Sequence, residues 1–208
     1  MSTRTTLNAR TTRTTREADT AQAARPVAVL LPGTGYTVQA PLLSWCGRLL
    51  AERGWHVEPV SWTIPADLDQ APDPDQAVAQ QREFVEHALE AAFASAPPAS
   101  RRLVVAKSFG SWALPWAVAH DVPGVWLTPV LVEPGIRDAL SRASSAHLAL
   151  GGGADPLWRP DLLTAPEARV ETIPEADHAL ALPRSGWRDS YEVQRRAFEL
   201  VDAHVARL

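Results

Sequence analysis

Cysteine and lysine are almost absent from this chain of 208 residues. Cys46 is the only cysteine, which excludes an intramolecular disulfide and any metal site built from several thiolates. Lys107 is the only lysine among 20 basic residues, and this bias, with the alanine, proline and tryptophan usage, is typical of a GC-rich bacterial genome. A lone cysteine fits a reducing compartment, so we expect a cytoplasmic protein.

Long apolar runs and excess charge are missing as well. No stretch approaches the roughly 18–20 apolar residues that span a bilayer. The formal net charge of −4 is too small to favour nucleic acid or a membrane surface as a partner. Hydrophobic residues nevertheless make up 46% of the chain, enough for a sizeable core. We expect one globular domain that binds a small molecule.

Residues 1–25 differ in composition from the rest of the chain. They are rich in Thr and Arg and contain little that a core could bury, so we expect a disordered tail. The composition superficially resembles a transit peptide, while the missing apolar segment argues against a secretory signal. The folded domain is expected over residues 26–208.

From Pro26 onward, strand and helix patterns alternate along the chain. Apolar runs such as "VAVLL" and "LVVA" are typical of strands buried on both faces, and segments with helical spacing separate them. Six such strands predict an α/β fold with three layers and a doubly wound, mainly parallel six-stranded sheet. Pro115 predicts a kink in the third helix. The longest irregular stretch, residues 63–74, is a candidate lip over a site but is too short for a folded lid.

Chemically reactive side chains follow several of these strands. Ser108 follows the third strand, Asp155 the fifth and His178 the sixth. The carboxyl ends of parallel strands meet at one edge of a sheet, which is where ligands bind. A serine hydroxyl needs an adjacent base, an imidazole can take its proton at neutral pH, and an acid orients the imidazole. These three residues are therefore a candidate nucleophile, base and acid.

Backbone amides near Ser108 are candidates for an oxyanion hole. The helix after Ser108 points its free N–H groups toward a developing oxyanion, and Phe109 supplies the first expected donor. The second is expected from the loop after the first strand, with Thr34 favoured and Gly35 as the alternative. The tight turn needs small flanking residues, which Ala106 and Gly110 provide.

Each candidate has rivals elsewhere in the sequence. Ser111 lies one turn after Ser108 and is expected to face the helix packing. Glu133 and Asp177 compete with Asp155 for the role of the acid. The other five histidines are expected to be structural or surface groups; they are His56, His87, His120, His147 and His204. No spacing matches a metal-ligand or nucleotide-binding motif, so neither a metal nor another cofactor is expected.

Eight tryptophans are many for a chain of this length. Trp62 and Trp158 both lie just past strand ends, so with Gly35 and Tyr36 they are candidates to line an apolar substrate pocket. Trp45 and Trp116 are instead expected to pack in the core.

Four segments together carry a resemblance to a known family. They are "LLPGTG", "AKSFGS", "GGGADPLW" and "PEADHAL", which follow one another at the ends of successive predicted strands. Over residues 26–208 the chain resembles the α/β-hydrolase superfamily, in particular its small lidless bacterial serine hydrolases. It departs from the usual pattern where Ala106 replaces the first glycine of the nucleophile turn and where Pro32 replaces a histidine.

The resemblance implies a minimal α/β-hydrolase fold and a serine hydrolase of carboxylesterase or thioesterase type. The substrate would be a small-molecule ester or thioester, cleaved through an acyl-enzyme on Ser108. A non-catalytic binding module on the same fold is the alternative, because fold alone does not imply activity. A transferase or peptidase using the same three residues is equally compatible with the sequence.

Overall fold

A six-stranded sheet forms the centre of the computed structural model, which describes residues 24–68 and 73–208. The strand order is β2-β1-β3-β4-β5-β6, and every neighbouring pair is parallel. The strands are β1 (Val27–Leu31), β2 (His56–Pro59), β3 (Arg102–Lys107), β4 (Gly124–Leu127), β5 (His147–Gly152) and β6 (Arg169–Ile173). The predicted α/β class and the six-stranded sheet are confirmed, and the described sheet is parallel throughout.

Among the described residues, five α-helices cover the two faces of this sheet. They are α1 (Pro41–Glu52), α2 (Pro74–Ser95), α3 (Leu114–Ala119), α4 (Pro134–Arg142) and α5 (Trp187–Val205). Helices α1 and α5 pack against each other on one face, while α2, α3 and α4 cover the other. Each face has its own apolar core, because alternate residues of a buried strand point to opposite sides. The doubly wound, three-layer prediction is therefore confirmed.

Proline sets the starting points of most helices. Pro41, Pro74 and Pro134 each begin a helix. Proline suits this position because the first N–H groups of a helix have no intrahelical acceptor, and because its fixed φ is already helical. Asp73 also caps α2 by accepting a hydrogen bond from the backbone N–H of Asp75. Between β3 and α3 the chain forms a 3₁₀ helix over Ser108–Ala113, and Pro115 lies in the first turn of α3. The 3₁₀ helix and α3 therefore meet next to Pro115, where the kink was predicted.

The tryptophans show where residue type alone misleads. Trp45 was expected in the core, but 54% of its surface is exposed, so that expectation is wrong. It lies on the outer side of α1, where it contacts only Phe198 of α5 and Arg48 among the described aromatic and cationic groups. Trp116 is half-buried at the edge of the other core, stacked on Phe93.

Two expectations fall on residues outside this description. The disordered tail predicted over residues 1–25 lies there except for its last two residues, and so do residues 69–72 of the candidate lip. Among the described helices, none combines the length and the apolar composition needed to cross a bilayer.

Candidate active site

Ser108 lies at a strained turn directly after β3. Its φ of 51° is in the left-handed region, which non-glycine residues adopt only where the surrounding structure enforces it. The turn presses the chain against β1. A Cβ atom on Gly110 would lie 2.9 Å from the carbonyl oxygens of Leu31 and Pro32, so only glycine fits there. The sharp strand-to-helix turn presents the Ser108 hydroxyl at the carboxyl edge of the sheet.

His178 links Ser108 to Asp155 through both nitrogens of its ring. Its Nε2 lies 2.8 Å from Ser108 Oγ, and its Nδ1 lies 2.7 Å from Asp155 Oδ2. With the proton on Nδ1, the ring donates to the carboxylate and accepts from the serine hydroxyl. The structure therefore brings together the three side chains that the sequence singled out, in the geometry that activates a serine.

Asp155 is held so that one carboxylate oxygen faces His178. Its side chain is 0% exposed, and its Oδ1 accepts a hydrogen bond of 2.9 Å from the backbone N–H of Leu157. The glycine run before it lets the β5 turn approach the loop after β6, because a Cβ on Gly152 would collide with the carbonyl of Ala176. The glycine run before Asp155 is thus explained by the close packing of the loops after β5 and β6. It does not match a nucleotide-binding motif.

The rival acids have other roles in the structure. Asp177 Oδ1 accepts the backbone N–H groups of Ala179 and Ala181 at 2.8 and 3.0 Å, so this carboxylate shapes the loop that carries His178. Glu133 lies at the beginning of α4, and its carbonyl accepts the N–H of Arg137. Within the described residues neither carboxylate forms a hydrogen bond with His178, so Asp155 is the acid in contact with the ring.

Ser111 is a structural neighbour of Ser108. It is fully buried, donates its hydroxyl to the carbonyl of Ser108 and accepts the backbone N–H of Val130. These two bonds connect the strained turn to the loop after β4. This buried position agrees with the expectation that Ser111 faces the interior beside the helix.

The loop after β1 lies beside Ser108. Gly33 and Tyr36 form an antiparallel bridge that leaves Thr34 and Gly35 exposed at the tip, with Gly35 at a φ of 63°. A Cβ on Gly33 would lie only 3.1 Å from Ser108 Cβ, so the loop touches the nucleophile turn. The backbone N–H of Thr34 donates to no acceptor within the described residues. It is free to bind a ligand.

Phe109 supplies a second free amide at the same edge. It is the second residue of the 3₁₀ helix, and the first N–H groups of a helix have no intrahelical acceptor. The amides predicted to bind an oxyanion, those of Phe109 and Thr34, therefore both border Ser108. Their role in catalysis stays a prediction.

A groove of about 260 Å³ opens beside this loop. Three of the four predicted pocket residues line it, namely Gly35, Tyr36 and Trp62. Trp62 contacts the rings of Phe84 and Phe109, with centroids 5.6 and 6.0 Å away, and its buried Nε1 has no partner within the described residues. Every residue that lines the groove is uncharged.

Trp158, the fourth predicted pocket residue, lies in the core instead. It is 4% exposed, its indole N–H donates to Thr172 Oγ1, and its ring covers Gly151. The chain after Asp155 turns this ring under the sheet edge. The expectation that Trp158 lines the pocket is therefore corrected.

The sequence pattern did not predict the place of Lys107 beside the candidate site. The residue directly before Ser108 is only 4% exposed, and its ammonium lies over the ring of Tyr36 with Nζ 4.7 Å from the centroid. Burial lowers the pKa of Lys107 to about 8, and the nearby carboxylates of Asp155 and Asp177 oppose that shift. Its status as the only lysine, placed in a buried strand, was the signal that could have revealed it.

Within residues 24–68 and 73–208, no three His, Cys, Asp or Glu side chains are grouped as metal ligands. The side chains in contact at the site are those of Ser108, His178 and Asp155.

Comparison with known proteins identifies the fold. No protein-family model matches the chain, and no curated protein matches its sequence. A lidless α/β serine hydrolase from Xanthomonas campestris has a TM-score of 0.51 and 15% identity, covering 83% of this chain and 81% of its own. Dienelactone hydrolase from Anabaena variabilis has a TM-score of 0.56 and 18% identity, covering 86% of each chain.

A third similar structure is Est1E from Butyrivibrio proteoclasticus with ferulic acid bound. Its TM-score is 0.54 at 11% identity, covering 86% of this chain and 90% of that one. At these identities the likeness concerns the fold. Together with the parallel sheet and the strand order, it shows that this chain has the α/β-hydrolase fold in a minimal six-stranded form.

Proposed function

We propose that this protein is a serine hydrolase that cleaves a carboxylic ester or thioester through an acyl-enzyme. The observation that supports this most is the continuous contact from Ser108 through His178 to Asp155 at a strained turn. Backbone strain at a residue with a reactive side chain is typical of active sites. The structural similarity to dienelactone hydrolase and to Est1E with ferulic acid bound favours an ester substrate.

The first half-reaction forms the acyl-enzyme. Ser108 Oγ attacks the substrate carbonyl carbon while its proton passes to His178 Nε2. The carbonyl oxygen becomes an oxyanion that accepts hydrogen bonds from the amides of Phe109 and Thr34. The tetrahedral intermediate then collapses, and the departing alcohol or thiol takes the proton from His178.

The second half-reaction releases the acid. A water molecule attacks the acyl carbon and gives one proton to His178 Nε2, which returns it to Ser108 Oγ as the ester bond to the enzyme breaks. Asp155 keeps the ring in the required tautomer and stabilises the imidazolium in both steps. The groove of about 260 Å³ is uncharged, so it suits small neutral acyl or alcohol groups.

Labelling with a fluorophosphonate tests this proposal directly. We expect one adduct per chain by intact mass, mapped to Ser108, with loss of fluoride, and none on Ser108→Ala. Failure of the well-folded wild type to react would contradict the proposal and favour the binding module. Turnover of p-nitrophenyl esters of increasing chain length then measures the acyl pocket.

A matched pair of acid variants tests the assignment of Asp155. We expect Asp155→Asn to lower kcat by about 10⁴-fold, because the amide favours the wrong histidine tautomer. Asp177→Asn keeps an oxygen that can accept the two loop N–H groups, so its loss should be far smaller. Equal losses in the two variants would contradict the assignment.

A further inference from the structure

Lys107 occupies a position that the strand pattern reserves for an apolar residue. It follows Leu103 and Val105 at alternate positions of β3, so its side chain leaves the sheet on the face that α1 and α5 cover. Both preceding residues are fully buried in that core. An amino group placed there loses most of its hydration.

No anion compensates this cation directly. In the part of the chain that the structure describes, Lys107 Nζ forms neither an ion pair nor a hydrogen bond with a protein acceptor; its close partner is the face of the Tyr36 ring. Asp155 and Asp177 attract it only through the longer-range field. A cation that is largely withdrawn from water without an ion-pair partner is costly, and ionisable groups perturbed in this way cluster at functional sites.

The contacts of Lys107 converge on the loop beside the nucleophile. Its ammonium lies over Tyr36 at one end of the loop, and its Cδ lies 3.2 Å from where a Cβ of Gly33 would be, at the other end. Gly33 also lies against Ser108, and the exposed tip with Thr34 stands between the two ends. One side chain thus touches both ends of the loop expected to bind the oxyanion.

We propose that Lys107 is a positioning residue, whose stem and ammonium hold residues 33–36 against Ser108 so that the Thr34 amide faces the oxyanion. This proposal rests on the proposed hydrolase function. The stem supports Gly33, and the cation–π contact supports Tyr36. The same contacts also shape the groove beside the loop. The oxyanion donor, however, acts only in the transition state, so its loss lowers kcat more than it changes KM.

The positioning role predicts a dependence of turnover on pH. The cation is lost as pH rises through about 8, which removes the contact with Tyr36 and should lower kcat on the alkaline side. The titratable groups that act on Lys107 come from three loops: Tyr36 after β1, Asp155 after β5 and Asp177 after β6. Burial raises the pKa of Tyr36 above its usual 10, so the Tyr36 hydroxyl loses its proton at a higher pH than Lys107 does.

Lys107→Met and Arg102→Met form a matched pair for the test. Each removes one positive charge and one cation–π contact from the same strand, because Arg102 lies over Phe93 at the opposite end of β3. On a short neutral p-nitrophenyl ester we expect Lys107→Met to lower kcat about tenfold or more, with KM changed less than about threefold. Its alkaline limb near pH 8 should disappear. Arg102→Met should match the wild type in all three readouts.

A second measurement observes Lys107 itself. Because it is the only lysine, protein labelled with ¹³C-lysine gives a single Cε resonance, whose titration reports this ammonium alone. We expect its midpoint near pH 8 and the same midpoint for the alkaline limb of kcat. A midpoint above 10 would overturn the proposal, since Lys107 would then be hydrated and free of the loop.

The outcomes separate the two proposals. If the wild type is labelled by the fluorophosphonate and Lys107→Met retains full kcat with an unchanged pH profile, the positioning role is wrong and the hydrolase proposal stands. If the wild type neither turns over esters nor reacts with the fluorophosphonate, both proposals fall.

Discussion

Replacing Lys107 by methionine should make the protein more stable. The two side chains have similar volumes, and methionine buries its stem with no charge to dehydrate. Burial lowers the pKa of Lys107 from 10.5 to about 8, and at 1.36 kcal/mol per pH unit this difference equals about 3 kcal/mol. That is the cost of keeping the cation buried at pH 7, where the folded and the unfolded chain are both protonated.

The direction with pH follows from proton binding. Between pH 8 and 10.5 the unfolded state holds the Lys107 proton and the folded state has lost it, so the stability of the wild type rises with pH across this range. Lys107→Met has no ammonium at this position and so lacks this rise of stability with pH. We therefore expect the variant to be more stable by about 3 kcal/mol at pH 7, and the advantage should shrink toward zero near pH 10.5.

Urea unfolding at several pH values measures this difference. At neutral pH a gain of about 3 kcal/mol in the free energy of unfolding corresponds to a rise in Tm of about 6–12 °C for a chain of this size. Arg102→Met serves as the control, because that cation is exposed and should change stability little at any pH. A variant no more stable than the wild type at pH 7 would refute the reasoning that the cation is buried at a cost. Gain of stability with loss of turnover would be typical of a residue kept for function.

Three further changes are expected. Burial lowers the pKa of His147 from 6.5 to about 4, so the protein should lose up to about 3 kcal/mol of stability as pH falls from 6.5 to 4, and His147→Gln should flatten this dependence in acid denaturation curves. Gly110→Ala places a Cβ 2.9 Å from the carbonyl of Leu31 and should cost about 1–3 kcal/mol in urea unfolding while slowing fluorophosphonate labelling. Burial raises the pKa of Cys46 to about 12, so a disulfide reagent such as DTNB should modify it only after unfolding.

Each of these changes has a control or an outcome that would contradict it. The Gln side chain at position 147 can still accept the indole N–H of Trp126, so equal acid sensitivity in both proteins would rule out His147 as the source. Gly135→Ala in α4 has no neighbour closer than 4.0 Å and should be neutral or stabilising. Rapid reaction of Cys46 in the native protein would show that α1 opens, against the expected burial.

Local pattern was enough to place the main elements of the fold and three side chains of the candidate site. Apolar runs and helical spacing located all six strands, because strands buried on both faces and amphipathic helices have different periods. Ser108, Asp155 and His178 then followed from one rule, since the carboxyl ends of parallel strands meet at one edge.

Other features depended on contacts between distant segments. Asp155 and Asp177 looked alike in sequence, and only the fold showed that one accepts from His178 while the other closes its own loop. Trp45 was expected in the core but is exposed, because no described layer covers the outer side of α1. Trp158 was expected at the pocket but is buried, because the turn after Asp155 folds the Trp158 ring inward.

The sequence by itself therefore determined the α/β architecture and the edge of the sheet that carries the reactive groups, since both follow from periodicity and chain order. Tertiary structure alone decided which acid meets the histidine, which aromatic rings face the groove, and that the only lysine lies buried over Tyr36. The physical reason is that burial and partner choice are set by segments remote in the chain, such as the Lys107 and Tyr36 pair, and no local pattern encodes their meeting.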